Sequence, residues 1–385
     1  MPRPRSNAAR TGGRVNCKGM NVDGKAYRAI ALAGDGETVE IIDQTRLPHE
    51  FVLTRLSTLE DAAMAIRDML VRGAPLIGVT AAYGLALAMR TDASDAALAR
   101  ACTVLSATRP TAVNLHAALA RMRGRLAPLL EAARASAARA LATELADEDV
   151  AQNRAIGAHG HNILRTLSEG PARGRPLRVM THCNAGWLAT VDGGTALAPV
   201  YAAHDAGIAL EVWVSETRPR NQGASLTAWE LGKHGVRHTG IVDNAAGHLM
   251  QNGEVDVVIV GTDRTTARGD VANKIGTYLK AVAAHDCGVP FYVAAPSSSI
   301  DWGLDDGRAV PIEERAAHEI THATGRAADA HRVSVRLWPE GARVKNVGFD
   351  VTPARLVTGL ITERGVCEAS KRGLAELFAE RAASA

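Results

Sequence analysis

LRVMTHCNAGWLATVDGG, Leu177 to Gly194, is a short apolar run that stops at Thr181, His182, Cys183 and Asn184, then passes through small residues and glycine toward a helical pattern. A β run that breaks off in polar residues before a helix is how an open α/β sheet presents a crevice at the carboxyl ends of its strands. The same pattern repeats downstream. ALEVWVSE leads through a polar loop to SLTAWELGKHG, VRHTGIV precedes NAAGHLMQNG, VDVVIVG precedes VANKIGTYLKAVAAHDCG, and VPFYVAAP closes the series. Apolar runs separated by helical segments predict an α/β fold whose parallel sheet carries helices on its faces. Right-handed crossovers then place every carboxyl end on one edge.

That edge would carry Thr181, His182 and Cys183; Ser215 to Arg218; Asp243 and Asn244; Thr262, Asp263 and Arg264; and Pro296 to Ser298. Polar endings on consecutive strands suit a ligand crevice. Neither G-x-G-x-x-G after the first strand nor a P-loop occurs, so a dinucleotide or nucleoside triphosphate is not the expected ligand. A lone cysteine is commonly an inert core residue. At a strand end beside a helix start, however, a thiolate is favoured, and Cys183 reads as the centre of the site. Asp263, emerging from VVIVG, would either cap a turn or serve as a general acid with a raised pKa. Asn273 and Lys274, read as the start of the next helix, offer an amide and an ammonium to a phosphate or sugar hydroxyl.

Upstream, Arg3, Arg5, Arg10 and Arg14 occur without an acid among Pro and Gly. A disordered basic tail over residues 1–19 is expected; no amphipathic pattern supports a transit segment. AYRAIAL and TVEIID around Asp35-Gly36 predict a hairpin. Ser57 and Glu60 form a capping box before a helix. In the RGAP break that follows, Arg72 either snorkels to solvent or forms a cationic turn that grips an anion at a helix start. Arg109-Pro110-Thr111 repeats the motif and would leave its Arg free for a ligand. Helical spacing runs to about Leu167, with His159 and His161 expected on a solvated surface. EGPARGR (Glu169 to Arg175) reads as a linker, giving a helical domain with a small sheet over residues 20–168 and a second domain over 169–385.

Of 385 residues, 46% are hydrophobic and 22% charged, which excludes disordered and fibrous classes. The 44 basic residues nearly balance the 41 acidic ones, so nucleic acid is not an expected partner. Cys17, Cys102, Cys183, Cys287 and Cys367 are scattered and form no C-x-x-C, arguing against a disulfide framework or zinc and for a cytoplasmic location. No uninterrupted apolar run has membrane-spanning length.

Longer motifs add a resemblance. RGAPLIGVTAAYG (Arg72 to Gly84), THCNAG (Thr181 to Gly186), ETRPRNQGASLTAWEL (Glu216 to Leu231), GTDR (Gly261 to Arg264), NKIGTY (Asn273 to Tyr278), PIEER (Pro311 to Arg315) and FDVTP (Phe349 to Pro353) occur in order between about Lys25 and Val366. The set resembles the 5-methylthioribose-1-phosphate isomerases of methionine salvage. The superfamily also holds ribose-1,5-bisphosphate and 5-deoxyribose-1-phosphate isomerases and non-catalytic regulatory subunits of an initiation-factor exchange complex, so those activities stay as alternatives. The resemblance implies a mostly helical N-terminal domain with a small sheet, a Rossmann-like C-terminal domain, a homodimer, a sugar-phosphate substrate and no metal or cofactor. It makes Cys183 and Asp263 catalytic, and Arg72, Gly73, Ala74, Arg109, Gln222, Asn273 and Lys274 substrate-binding. The segment Asn346 to Phe349 varies an N-P-A-F pattern and is expected to leave the chemistry untouched.

Overall fold

The computed structural model describes residues 19–382. The Arg-rich tail expected at the start, with Cys17, lies outside the described residues except for Gly19.

A short ribbon, β1 (Asn21–Val22) and β2 (Lys25–Ala26), precedes an antiparallel sheet of β3 (Ile30–Leu32), β4 (Val39–Ile42) and β5 (Leu53–Leu56). The β3–β4 turn is the expected one: the Asp35 carboxylate accepts the N–H groups of Glu37 and Thr38 at 2.8 and 2.9 Å. The next helix, α1 (Leu59–Arg67), is capped one residue later than the sequence suggests. Thr58 Oγ1 accepts the Asp61 N–H, and the Asp61 carboxylate accepts those of Ser57 and Thr58, while Glu60 turns outward to Arg100.

α2 (Ala74–Thr91) is apolar around nearly its whole circumference, so it must be enclosed, and α1, α3 (Asp95–Ser106), α4 (Val113–Leu126) and α5 (Glu131–Glu169) enclose it. With 39 residues α5 is about 58 Å long. Its first half packs on α2; its second half lies against the C-terminal domain. His159 Nδ1 pairs with the Thr362 carbonyl at 2.9 Å and His161 is buried, so the pair expected on a solvated surface sits at an interface.

The C-terminal domain alternates β6 (Leu177–Thr181), α6 (Ala198–Asp205), β7 (Leu210–Ser215), α7 (Ala228–His234), β8 (His238–Ile241), α8 (Ala245–Gln251) and β9 (Val257–Val260). A hairpin of β10 (Arg264–Thr266) and β11 (Val271–Lys274) precedes α9 (Thr277–Asp286) and β12 (Phe291–Ala294). Then come β13 (Ile300–Asp301), α10 (His318–Thr321), an exposed hairpin of β14 (His322–Arg326) and β15 (Arg332–Arg336), β16 (Phe349–Thr352), β17 (Gly359–Thr362), β18 (Gly365–Cys367), α11 (Lys371–Leu377) and α12 (Ala379–Ala382).

The main sheet has the order β18-β17-β12-β9-β6-β7-β8, parallel except for β18. Two of its strands, β17 and β18, lie beyond the five that the alternation predicts. A second sheet, β13-β10-β11-β16, was not foreseen. VANK is therefore a strand and not a helix start, because β11 pairs on both sides, placing Asn273 opposite Asp350 and Lys274 opposite Phe349.

Both faces of the main sheet are covered. Val257 and Ile259 join a core shared with α5, α6 and the helical domain, while Val258 and Val260 face α8, α9 and α11. The helical domain is thus continuous with one side of the sheet. Two glycines set the α5–α6 spacing: a Cβ at Gly160 would lie 2.3 Å from Pro199 Cγ, and one at Gly157 would lie 3.2 Å from the Ala198 carbonyl.

Gly→Ala inside a helix should gain up to ~1 kcal/mol, whereas overpacking costs about 1–3 kcal/mol. Gly124→Ala in α4, where nothing lies within 4 Å of the new Cβ, is expected to stabilise. Gly160→Ala is expected to destabilise. Denaturant unfolding of the two variants checks the opposite signs.

Candidate active site

One cavity lies between the helical domain and the carboxyl edge of the main sheet. It gathers all nine residues singled out in the sequence: Arg72, Gly73, Ala74, Arg109, Cys183, Gln222, Asp263, Asn273 and Lys274.

Cys183 lies two residues beyond the end of β6 and takes a left-handed φ of 65°. Its backbone is held on both sides: the N–H donates to Thr217 Oγ1 at 2.8 Å, and the carbonyl accepts from Thr227 Oγ1 at 2.7 Å. No α-helix follows the thiol directly along the chain, contrary to expectation; a 3₁₀ turn, Trp187–Ala189, comes next, and α6 begins only at Ala198. Burial pushes the thiol pKa up, and the charges of Arg72 and Lys274 offset only part of this. Asp263 follows β9, its N–H donating to the Ala272 carbonyl at 3.0 Å. Burial also lifts its carboxyl above the usual range, against the pull of Lys274, Arg72 and Arg109. Two acids whose pKa values are both raised thus share one cavity with Arg72, Arg109 and Lys274.

Lys274 is buried, which lowers its pKa, while Cys183 and Asp263 favour its charge. Nζ donates to the Gly348 carbonyl at 2.9 Å and stands 4.4 Å above the Phe349 ring. The Asn346–Phe349 segment therefore bears directly on the site, contrary to the sequence expectation. Asn273 Nδ2 donates to Thr277 Oγ1 at 3.0 Å. Gln222 is buried, and its Oε1 has no hydrogen-bond partner among the described residues, an arrangement that suits a ligand hydroxyl.

Arg72 grips Asn184 twice, through Oδ1 and, at 2.7 Å, through the backbone carbonyl. Gly73 opens α2 at φ 100°, where a Cβ would stand 2.5 Å from the Ala189 carbonyl, so only glycine permits this approach. Arg109 is not free: α4 begins at Val113, and the guanidinium meets Glu313 at 3.5 Å. Glu313 starts a charged strap that includes two cavity-lining arginines, Arg315 and Arg220. Arg315 pairs with Glu313 at 3.0 Å and Glu319 at 2.7 Å, and Arg220 reaches Glu319 at 3.0 Å. Burial alone would raise Glu319, but Arg315 and Arg220 hold it at about 2.

Sequence reasoning missed Asn184, Arg220, Arg315 and Met69 in the cavity wall. The first three lie inside motifs quoted above, yet nothing local separates a strap arginine from a surface one. Of the polar strand endings, that of β8 serves the scaffold. Asp243 accepts the N–H groups of Thr217 and Arg218 at 2.8 and 2.7 Å and the Ser215 hydroxyl, which fixes the loop leading to Gln222. His182, pushed down to about 3 by burial, is a neutral tie to the Ile275 carbonyl at 2.8 Å. Among the described residues no group of three or more His, Cys, Asp or Glu side chains is placed to hold a metal ion.

Alkylation of Cys183 by iodoacetamide, followed by peptide mass spectrometry across pH, is expected to be slow at neutrality and to accelerate only above the ordinary thiol range. Rapid labelling at neutral pH would contradict a thiol raised by burial.

The Initiation factor 2 subunit family matches residues 70–369. A methylthioribose-1-phosphate isomerase of Paramagnetospirillum magneticum is 63% identical over 364 residues, 94% of this chain and 100% of that protein. The crystal structure of 5-methylthioribose 1-phosphate isomerase from Pyrococcus horikoshii superposes with a TM-score of 0.80 at 40% identity, covering 92% of this chain and 97% of the other. A structure described as translation initiation factor eIF-2B subunit delta from A. fulgidus gives 0.76 at 37% identity, covering 92% and 100%. With near-complete coverage in both sequence and fold, this chain belongs to the methylthioribose-1-phosphate isomerase group of the Initiation factor 2 subunit family.

Proposed function

We propose that the chain is an aldose–ketose isomerase that converts 5-methylthioribose 1-phosphate to 5-methylthioribulose 1-phosphate. The observation that carries this reading is the pairing of a buried thiol with a partly buried carboxyl, both shifted toward their protonated forms, with Arg72, Arg109 and Lys274 in one cavity.

The substrate sets the problem. Phosphate on the anomeric oxygen prevents the ring from opening to a free aldehyde, so acid must reach the ring oxygen as its bond to C1 breaks. Asp263 is assigned that proton because its carboxyl is raised. Hydrogen then passes from C2 to C1, the 2-hydroxyl proton returns to the Asp263 carboxylate, and a carbonyl forms at C2. Arg72, Arg109 and Lys274, with the backbone at Gly73 and Ala74, are assigned to the phosphate. Gln222 and Asn273 are assigned to the sugar hydroxyls.

Removing the C2 proton through an enediol would need a thiolate, and burial opposes that charge on Cys183. A hydride shift needs only a dry pocket, with the neutral thiol against the reacting carbons, and the raised thiol favours this route. At C5, Met69, Ile77, Val310 and Ile312 offer an apolar wall suited to a thioether. The additional cations, Arg220 and Arg315, are already paired with Glu319 and Glu313, which disfavours a second phosphate. The reading includes a homodimer in the cytoplasm. Exposed Tyr278, Leu279 and Val282 on α9 support an apolar contact surface, and light scattering tests it.

Phosphorus NMR of the protein with 5-methylthioribose 1-phosphate, ribose 1,5-bisphosphate and 5-deoxyribose 1-phosphate is expected to show turnover of the thio-sugar. Asp263→Asn should lower kcat by about 10²- to 10⁴-fold. Activity should fall as pH rises through the elevated Asp263 pKa, because the acid form is the working one. Substrate deuterated at C2 should keep its label at C1; washout into solvent would establish the enediol instead.

A further inference from the structure

The structure assigns Glu230 as a positioning residue that aims Arg72 into the cavity through Asn184, an inference that rests on Arg72 being a phosphate anchor. Glu230 lies on α7 and is fully buried, outside the cavity lining. Its Oε1 accepts the Asn184 side-chain N–H at 2.6 Å, and its Oε2 accepts the Leu188 backbone N–H at 3.2 Å. Asn184 is thereby turned with its nitrogen toward α7 and its oxygen toward Arg72, which binds that oxygen and the backbone carbonyl of the same residue. Thr227 Oγ1 takes the second Asn184 N–H at 3.1 Å and donates its own proton to the Cys183 carbonyl. One carboxylate therefore orients both the phosphate-side guanidinium and the loop that carries the thiol.

The chain makes room for this carboxylate at a specific place. A Cβ at Gly186 would lie 1.7 Å from Glu230 Oε1, so the loop after Cys183 is closed directly onto the carboxylate. Both oxygens face donors, and these contacts offer no acceptor for a carboxyl proton or an amide N–H. Burial raises the Glu230 pKa to about 8 against the pull of the Leu188 N–H, Asn184 and Arg72, so the carboxylate that answers these donors prevails above that pH, and the test is read there. An amide in its place must turn a donor against a donor. It either repels the Leu188 N–H or flips Asn184, and the flip presents an N–H to Arg72 where an oxygen was.

The test is a double-mutant cycle on the full chain with 5-methylthioribose 1-phosphate. Glu230→Gln is expected to raise KM by about tenfold with kcat changed much less, the scale of one charge-assisted hydrogen bond. In an Arg72→Lys background, where the double grip on Asn184 is already lost, the same change should cost less than about twofold. An equal KM rise in both backgrounds, or none in either, overturns the inference, since a purely structural role would act independently of Arg72. Should Glu230→Gln fail to fold by near-ultraviolet circular dichroism, Asn184→Ala, which removes the middle link, is put through the same cycle with the same expectation. Calorimetric titration with inorganic phosphate separates the two readings. If no sugar turns over but phosphate binding weakens in Glu230→Gln, the positioning role stands and the isomerase reading falls; phosphate affinity unchanged by the substitution, or no phosphate binding by the wild type, overturns the positioning role.

Discussion

Charge taken out of water must be answered by neighbouring charge or hydrogen bonds, and the cavity is built around that constraint. Lys274 and Cys183 are buried and Asp263 is partly buried, and Lys274 draws both acids toward their charged forms against desolvation. The same desolvation that makes an ionised thiol costly also shifts the carboxyl toward its acid form. Around this centre the second tier is electrostatic as well: Glu230 answers Asn184 and Arg72, Glu313 answers Arg109, and Glu319 answers Arg315 and Arg220.

The sheet makes such burial possible. Because alternate residues of β9 enter separate cores, its carboxyl end emerges between two packed faces and Asp263, three residues beyond the strand, is largely desolvated. The helical domain joins the core on one side and closes the crevice from above. Gly73 and Gly186 are two of the points where neighbouring atoms approach too closely for a Cβ, and both lie beside Arg72, Asn184 and Glu230 in sequence or in space.

Much of this was legible in the sequence. Apolar runs ending in polar residues announced the parallel sheet, and the motif set located residues that the fold gathers in one cavity. What escaped was non-local. VANK reads as helix because local pattern favours it, yet pairing with β10 and β16 makes it a strand. Asn346–Phe349 seemed remote from the chemistry, but its carbonyl and ring hold Lys274 across 74 residues of chain. Arg109 looked free because its partner, Glu313, is far along the chain. Glu230 gave no signal, since a glutamate in a short amphipathic helix resembles a surface residue until the loop folds over it.

The long helix α5 has a mechanical consequence. It is continuous from the helical domain to its seat against α6 and β17, so the chain does not cross between domains through a flexible tether. The Gly- and Pro-containing stretch from Glu169 to Arg175, which reads as a linker in the sequence, begins where this rod ends, beyond its contacts with α6. Rotation there would move the sheet against a lever already clamped to it at Gly157 and Gly160. The cavity wall that Arg220 and Arg315 contribute is fastened differently, by ion pairs to Glu313 and Glu319 rather than by either apolar core.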